Sequence, residues 1–281
     1  KMIIKKYENL ESWKSAERTH RVIEEIYRKG FKDNGIFRVP KPLGKDKRNL
    51  ALIEERVGDE TLYDALKKSD KETSHRLLQK TGQWLAELHN LRLKVTPEKE
   101  FMQIEPERLQ YYLKDMIEQS HPFLHRVQQV HDVVLQNEME LVEHNHKLLI
   151  QSHGDFHLKN IYVGKDPGME EHYVSAIDFG SSYRLPPSFD VGTFMAQYLN
   201  MFFNHPKVYL KVPIEIFLNA YVQRAKHQEK DFIVHVNVFK ARACLSILYY
   251  LVKVGLGDSE NFWRILIEAE KSIANIEFTV T

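Results

Sequence analysis

The sequence predicts an α+β protein, with a small mixed section at the front and a long helical remainder. Two strand-like runs, at residues 2–7 and 49–57, lie close to the start. Both are rich in apolar residues and are bounded by polar or turn-forming ones. After residue 60, apolar residues recur at the three- and four-residue intervals of amphipathic helices. With 281 residues, the chain is long enough for two lobes with ample cores.

The elements follow from their local patterns. Residues 2–7 form the first predicted strand, and residues 10–29 form one helix whose apolar face contains Trp13, Ala16, Ile23, Ile26 and Tyr27. Prolines and a glycine make residues 39–44 an extended turn, and the charged residues 45–48 are the predicted tip of a hairpin. Further helices are predicted over 61–68, 71–91, 105–119 and 123–143. Four more helical stretches follow from about residue 188.

Composition excludes several classes of protein. Apolar residues make up 43% and charged residues 28% of the chain, and the net charge is +1. This balance gives no electrostatic reason to expect nucleic acid or an anionic membrane as a partner. The single cysteine, Cys244, excludes an intrachain disulfide, and the 14 histidines are scattered. We see no signal peptide and no apolar run of transmembrane length, so we expect a cytoplasmic location. The oligomeric state is not predicted.

The chemistry is concentrated in one block. Residues 153–160 read HGDFHLKN, and residues 177–180 read IDFG. Asp155 and Asn160 are five residues apart, the spacing of the protein-kinase catalytic loop, in which the Asp meets the acceptor hydroxyl and the Asn holds a metal ion. Asp178 follows a short predicted strand, residues 173–177, which would deliver a second metal ligand. The block therefore predicts a phosphotransferase.

Two departures from the protein-kinase pattern are informative. Gly154 stands where protein kinases carry the arginine of His-Arg-Asp, and no Ala-Pro-Glu follows the Asp-Phe-Gly. Without that arginine, a phosphorylated loop has no docking site beside the catalytic Asp. The block instead resembles that of the aminoglycoside phosphotransferase and choline kinase family, whose members phosphorylate hydroxyl groups of small molecules. The resemblance extends over nearly the whole chain and is sharpest between Ser152 and Tyr198.

The resemblance implies a bilobal protein-kinase-like fold and a set of roles. The expected lobes are a small N-terminal α/β lobe, residues 1–57, and a large, mainly helical C-terminal lobe, residues 58–281. Asp155 would be catalytic, and Asn160 and Asp178 would bind Mg²⁺ with the hard oxygen ligands that this cation prefers. ATP would be the phosphoryl donor.

The nucleotide lysine can be placed by strand alternation. Ile3 and Lys5 point to one face of the first strand, and Ile4 and Lys6 point to the other. The resemblance selects Lys5 as the residue that binds the α- and β-phosphates. Its expected partner is a glutamate of the following helix. Glu17 is the best candidate because it lies near the apolar face, with Glu24 and Glu25 as alternatives.

The hinge of the kinase-like fold would lie at residues 54–58, where the strand pattern gives way to a helix pattern. By resemblance, the main chain of Glu55 and Val57 would bind adenine. Similar enzymes have two strands and a phosphate-covering turn ahead of the lysine strand, whereas this sequence begins in that strand. Two explanations stay open: the sequence begins after the natural start, or the front lobe is reduced.

Residues around the motifs receive supporting roles. His153 is expected to brace the loop by hydrogen bonds, and Ser181 to steady the metal loop. Asp190 matches a family position that supports the catalytic loop. His89 is expected to be a packed helix residue. For His157 and Lys159, contact with the transferred phosphate and a scaffold role are equally open.

The acceptor is open at this stage. The last ninety residues are not acidic overall, as a pocket for polycationic aminoglycosides would be, and their many aromatic side chains fit a hydrophobic core better than a choline cage. The favoured function is an ATP- and Mg²⁺-dependent kinase for a sugar, an amino alcohol such as choline, or an aminoglycoside. The alternatives are a protein Ser/Thr kinase and a non-catalytic nucleotide-binding relative.

Overall fold

The computed structural model describes residues 1–32, 34–58, 60–227 and 229–277. The chain divides into two units. Unit 1 comprises residues 1–97, 150–184 and 210–227, and unit 2 comprises 98–149, 185–209 and 228–281. The predicted lobe boundary between residues 57 and 58 lies inside unit 1. It remains a prediction, since lobes and units divide the chain differently.

The elements follow one another in an order that confirms the α+β class. The strands are β1 Met2–Lys6, β2 Phe37–Arg38, β3 Pro42–Asp46, β4 Ala51–Glu55, β5 Glu60–Thr61, β6 Ile150–Gln151, β7 Ile161–Lys165, β8 His172–Ala176 and β9 Arg184–Leu185. The helices are α1 Leu10–Ile26, α2 Leu62–Lys68, α3 Lys71–Asn90, α4 Glu100–Glu118, α5 Leu124–His144, α6 Ser188–Met201, α7 Pro206–Lys211, α8 Glu215–Arg224, α9 Phe232–Lys253 and α10 Glu260–Glu277.

Unit 1 contains two sheets that position the motif block. One has the strand order β1-β4-β3 and is antiparallel throughout. The other has the order β2-β8-β7-β5, in which β7 and β8 form an antiparallel pair with Ile161 opposite Ala176. Asn160 precedes β7, and the Asp-Phe-Gly of residues 178–180 follows β8. This register therefore brings the two motifs together at one end of the strand pair.

Helix α1 forms where its amphipathic pattern predicts. A capping box starts it, because the Asn9 side chain accepts a hydrogen bond from the Ser12 N–H at 2.9 Å and the Ser12 hydroxyl accepts one from the Asn9 N–H at 3.3 Å. Trp13 and Ala16 are buried against Leu52 of β4, which fixes the helix to the sheet. The helix is shorter than predicted, since residues 27–31 form a π-helical turn.

Several elements were not predicted from the sequence, among them β3 and α7. Residues 42–46 form strand β3 rather than part of a turn, and the hairpin tip moves on to residues 47–50. A proline and a glycine hide this strand from pattern analysis, and a register irregularity between Pro42 and Gly44 accommodates them. The short helix α7 adds to the four helical stretches expected after residue 188.

Unit 2 is mainly helical, and α9 lies at its centre. This helix packs against α4, α5, α6 and α10. Its buried residues, including Cys244, form a continuous core with those of its neighbours, so the thiol is buried as expected. Over the part of the chain that is described, α9 alone has the length and apolar composition of a membrane span. The expectation of no such run is thus corrected, although packing on several sides is typical of a core helix.

Candidate active site

Lys5 lies in an ion pair that is made inside the sheet. Its Nζ is 2.8 Å from the Glu54 carboxylate, and the side chains are 41% and 5% exposed, respectively. Glu54 lies opposite Ile3 in the antiparallel register, so Lys5 and Glu54 occupy neighbouring positions on one face. The structure thus pairs Lys5 with Glu54, whereas the resemblance predicts a pairing with Glu17. The Glu17 carboxylate lies 4.0 Å from the Lys45 ammonium group.

Tyr7 lies within electrostatic range of this ion pair and of Asp178. Burial raises the pKa of Tyr7, the Lys5 ammonium opposes the shift, and the charges of Glu54 and Asp178 raise the pKa further. These influences require the four groups to lie within electrostatic range of one another. Lys5, the predicted nucleotide lysine, and Asp178, the predicted metal ligand, therefore both lie within electrostatic range of Tyr7 in unit 1.

The catalytic loop is held by its own side chains. The Asp155 N–H donates to His153 Nδ1 at 3.3 Å, and His153 Nε2 lies 2.9 Å from the Ile177 carbonyl oxygen. Accepting at Nδ1 leaves the ring proton on Nε2, where it can be donated to Ile177. The expected bracing role of His153 is confirmed.

Asp155 uses one carboxylate oxygen for internal contacts. Its Oδ2 accepts from Asn160 Nδ2 at 3.1 Å and lies 3.5 Å from His157 Nε2. The Asp155 side chain remains 44% exposed. Its Oδ1 can therefore accept a hydrogen bond from a hydroxyl group of a bound molecule. Burial raises the pKa of Asp155, but hydrogen bonding and charge from His157 and the Asn160 hydrogen bond are among the influences that lower it more. The net pKa is below the ordinary value of 3.8, so Asp155 is ionised at neutral pH.

The β7–β8 register brings Asn160 and Asp178 together. The Ile177 N–H donates to the Asn160 carbonyl oxygen at 2.9 Å. Asp178 is the next residue after Ile177, so it lies beside Asn160. Since Asn160 directs its amide nitrogen at Asp155, its side-chain oxygen is the atom left for a cation. Asp178 has φ +64°, an uncommon backbone conformation outside glycine that aspartate tolerates better than most residues.

This donor set fits Mg²⁺. Asp178 offers a carboxylate and Asn160 a carboxamide oxygen, both hard ligands. Within the described ranges, no group of three or more His, Cys, Asp or Glu side chains could hold a metal by itself. A cation bound with few protein ligands, completed by water and phosphate oxygens, is the usual arrangement for Mg²⁺ in phosphotransferases.

Buried aromatic rings pack against the loop formed by residues 153–160. Trp84 of α3 stacks on Phe156, with 5.4 Å between ring centroids and an interplanar angle of 11°. His153 lies 4.5 Å from the Phe179 ring and 5.4 Å from the Phe156 ring. One aromatic cluster thus underlies both motifs. Sequence reading gave no role to Trp84, because a tryptophan in an amphipathic helix looks like any other core residue.

Gly154 is required by close packing. It has φ +85°, and a Cβ there would lie 1.7 Å from the Ser181 carbonyl oxygen. A side chain of any kind is therefore excluded without moving the segment that follows the Asp-Phe-Gly. This contact explains why an arginine cannot stand at this position.

The hinge segment is only partly free to bind adenine as predicted. The Glu55 N–H already donates to the Lys41 carbonyl oxygen at 2.9 Å, so Glu55 can offer only its carbonyl oxygen. Glu55 and Val57 also border a cleft of about 340 Å³ in unit 1. Gly58, at the end of this segment, has φ +60° and packs against Tyr162. Adenine contacts at Glu55 and Val57 remain a prediction.

Two further predicted residues are buried. His89 Nδ1 lies 2.9 Å from the Tyr221 hydroxyl oxygen, which fits the expected packed helix histidine. Asp190 is fully buried in the first turn of α6. Its predicted support of the catalytic loop stays a prediction.

The fold and the site together define a kinase-like phosphotransferase, and comparison with known proteins agrees. A protein-family model described as the phosphotransferase enzyme family matches residues 1–226. The chain belongs to this family of small-molecule kinases, as its motif block predicts. No curated protein sequence matches the chain.

Solved structures share the fold at low sequence identity. Ethanolamine kinase of Plasmodium vivax is 14% identical, with a TM-score of 0.58 over 97% of this chain and 75% of that chain. The GDP complex of aminoglycoside 2'-phosphotransferase-IIIa is 14% identical, with a TM-score of 0.56 over 98% and 86%. Amicoumacin kinase, in complex with AMP-PNP, Ca²⁺ and Ami, is 13% identical, with a TM-score of 0.66 over 96% and 81%. These similarities establish the α+β protein-kinase-like fold.

Proposed function

We propose that the protein transfers the γ-phosphoryl group of ATP to a hydroxyl group of a small molecule and depends on Mg²⁺. The observation that carries this proposal is the contact between Asn160 and Asp155. One hydrogen bond fixes the ionised carboxylate and also turns the amide oxygen of Asn160 away from it. The same two residues can thereby serve the acceptor and the cation.

Each residue has a distinct task in this reaction. Asp155 orients the acceptor hydroxyl with Oδ1 and receives its proton as the bond to phosphorus forms. Its low pKa is acceptable, because phosphoryl transfer depends mainly on positioning and on charge neutralisation. Lys5, held by Glu54, binds phosphate oxygens of the nucleotide as a compact cation. Lys5 keeps a large exposed fraction, which leaves room for that contact.

Asn160 and Asp178 would hold the cation. A bound Mg²⁺ would offset the charge on the phosphate groups and the charge that develops on the leaving group. The hydrogen bond between Ile177 and Asn160 keeps the two ligands together before nucleotide arrives.

The acceptor classes under consideration are amino alcohols, aminoglycosides and other hydroxyl-bearing natural products such as sugars. Ethanolamine kinase, aminoglycoside 2'-phosphotransferase-IIIa and amicoumacin kinase share this fold, which supports testing all of these classes. A protein acceptor is disfavoured, because the packing at Gly154 leaves no space for the arginine that protein kinases use in control of the loop. We also propose a cytoplasmic location.

The proposal is tested by acceptor-dependent ADP release with Mg·ATP, using panels of aminoglycosides, amino alcohols, sugars and a generic protein. Asp155→Ala is expected to lower turnover by ~10² to 10⁴ while nucleotide binding stays nearly intact. Asp132→Ala is the matched control, because this aspartate has a 79% exposed side chain and lies outside the site. Turnover that survives in Asp155→Ala would rule out the catalytic assignment.

A further inference from the structure

Helix α1 is attached to the segment that follows the Asp-Phe-Gly by one arginine. Arg18 Nη2 donates to the Ser182 carbonyl oxygen at 2.6 Å. Its guanidinium carbon lies 4.4 Å from the centroid of the Tyr183 ring, within the range of a cation–π contact. A planar, permanently charged group that makes both contacts at once fixes the segment in position and orientation.

Ser182 transmits this contact to the metal loop. Its N–H donates to the Phe179 carbonyl oxygen at 3.1 Å, which closes the turn directly after Asp178. Its hydroxyl donates to the Ser152 carbonyl oxygen, and Gln151 Nε2 donates to the same hydroxyl oxygen at 2.8 Å. A shift of Ser182 would therefore disturb both the Asp-Phe-Gly turn and the strand that leads into the catalytic loop.

The other side of α1 is attached to the nucleotide-lysine strand. Trp13 packs with Leu52, and its ring centroid lies 6.1 Å from that of Tyr7, just after β1. The Lys5 ion pair, by contrast, is made inside the sheet with Glu54. Helix α1 thus contacts the β1–β4 strand pair through Trp13 and the segment after the Asp-Phe-Gly through Arg18.

We propose that Arg18 is a positioning residue, which holds the Asp178 loop in register with the Lys5 strand. The inference rests on the proposed function, because Asp178 is taken to be a metal ligand. It assigns to Arg18 the linking role that the kinase pattern gives to a helix glutamate. Support of this kind matters because outer contacts of metal ligands strongly affect metal affinity.

The test compares Arg18→Met with Arg21→Met, which removes an exposed arginine from the same helix. We expect Arg18→Met to raise the Mg²⁺ concentration for half-maximal nucleotide binding by about tenfold, with little change in metal-free nucleotide affinity. In the metal-free protein, amide exchange of residues 178–183 should become faster, beginning with the Ser182 N–H. Arg18→Lys keeps the charge but loses the planar contact, so it should fall between wild type and Arg18→Met.

The outcomes separate the two proposals. If the wild-type protein binds no nucleotide in the presence of Mg²⁺, the proposed function fails. If wild type binds, and Arg18→Met matches Arg21→Met in Mg²⁺ dependence and amide exchange, the role of Arg18 is refuted. Should Arg18→Met not fold, Arg18→Lys decides the question: wild-type Mg²⁺ dependence and exchange in that variant would overturn the inference.

Discussion

The Lys5 ammonium group lies 2.8 Å from the Glu54 carboxylate. The two residues occupy neighbouring positions on one face of the β1–β4 strand pair. Because Glu54 belongs to the sheet, the register of β1 against β4 positions the Lys5 side chain, and no movement of a helix is needed. The ion pair thus depends on the pairing of β1 with β4 and uses no side chain of α1.

Glu54→Gln tests this relationship. The neutral amide leaves the Lys5 ammonium without its buried counter-charge, so we expect the KM for Mg·ATP to rise by roughly tenfold. Glu17→Gln is the matched control and should leave KM close to that of wild type. Equal effects in both variants would restore the helix glutamate as a partner.

Asp178→Asn tests the metal site. Asparagine tolerates the left-handed backbone at this position, so the variant should fold normally. Loss of one negative charge is expected to weaken Mg²⁺-dependent nucleotide binding by roughly 10- to 100-fold, while binding without metal changes little. Titration calorimetry with and without Mg²⁺ measures both quantities. Unchanged Mg·ATP affinity would remove Asp178 from the metal site.

Gly154→Ala tests the close packing beside the catalytic aspartate. Both the left-handed backbone and the Ser181 carbonyl oxygen oppose a Cβ here. Gly168→Ala is the control, because Gly168 has φ +79° but no neighbouring atoms within 4 Å. We expect Gly168→Ala to cost about 1 kcal/mol of unfolding free energy and Gly154→Ala at least ~3 kcal/mol. Urea unfolding measures both losses. Similar losses of unfolding free energy in the two variants would show that backbone strain, and not the contact with Ser181, destabilises Gly154→Ala.

Glu138 of α5 predicts a pH dependence of stability. It is fully buried, and neither carboxyl oxygen has a hydrogen-bond partner. Burial and the charge of Glu105 raise its pKa well above 4.5, although Arg242 and Arg108 oppose the shift. A raised pKa in the folded state means that the contribution of Glu138 to stability is intact below about pH 4.5 and is lost as pH rises towards the folded pKa.

Glu138→Gln should therefore gain stability relative to wild type as pH increases from 5 to 8, by at most ~1.4 kcal/mol per pH unit. Glu140→Gln, an exposed change on the same helix, should show no such trend. Urea unfolding at several pH values measures both differences. Parallel stability curves for wild type and Glu138→Gln would mean that Glu138 titrates normally.

Much of the site could be predicted from sequence, because its residues are close together in the chain. Asp155 and Asn160 precede the β7–β8 strand pair and Asp178 follows it, so strand pairing places them together. Glu54 and Lys5 are 49 positions apart, so their contact depends on which strands pair and in which register. The helix glutamate was the natural expectation because helix position can be read locally, whereas strand register cannot.

The amino-acid sequence determined the fold class and the family and predicted the residues for phosphoryl transfer, because motif spacing and apolar periodicity are local properties of the chain. Tertiary structure alone decided that Lys5 pairs with Glu54, that Gly154 must lack a side chain, and that Arg18 donates a hydrogen bond to the Ser182 carbonyl oxygen. Each of these depends on distances of a few ångströms between segments remote in sequence. Such distances are set by packing, and no single segment encodes them.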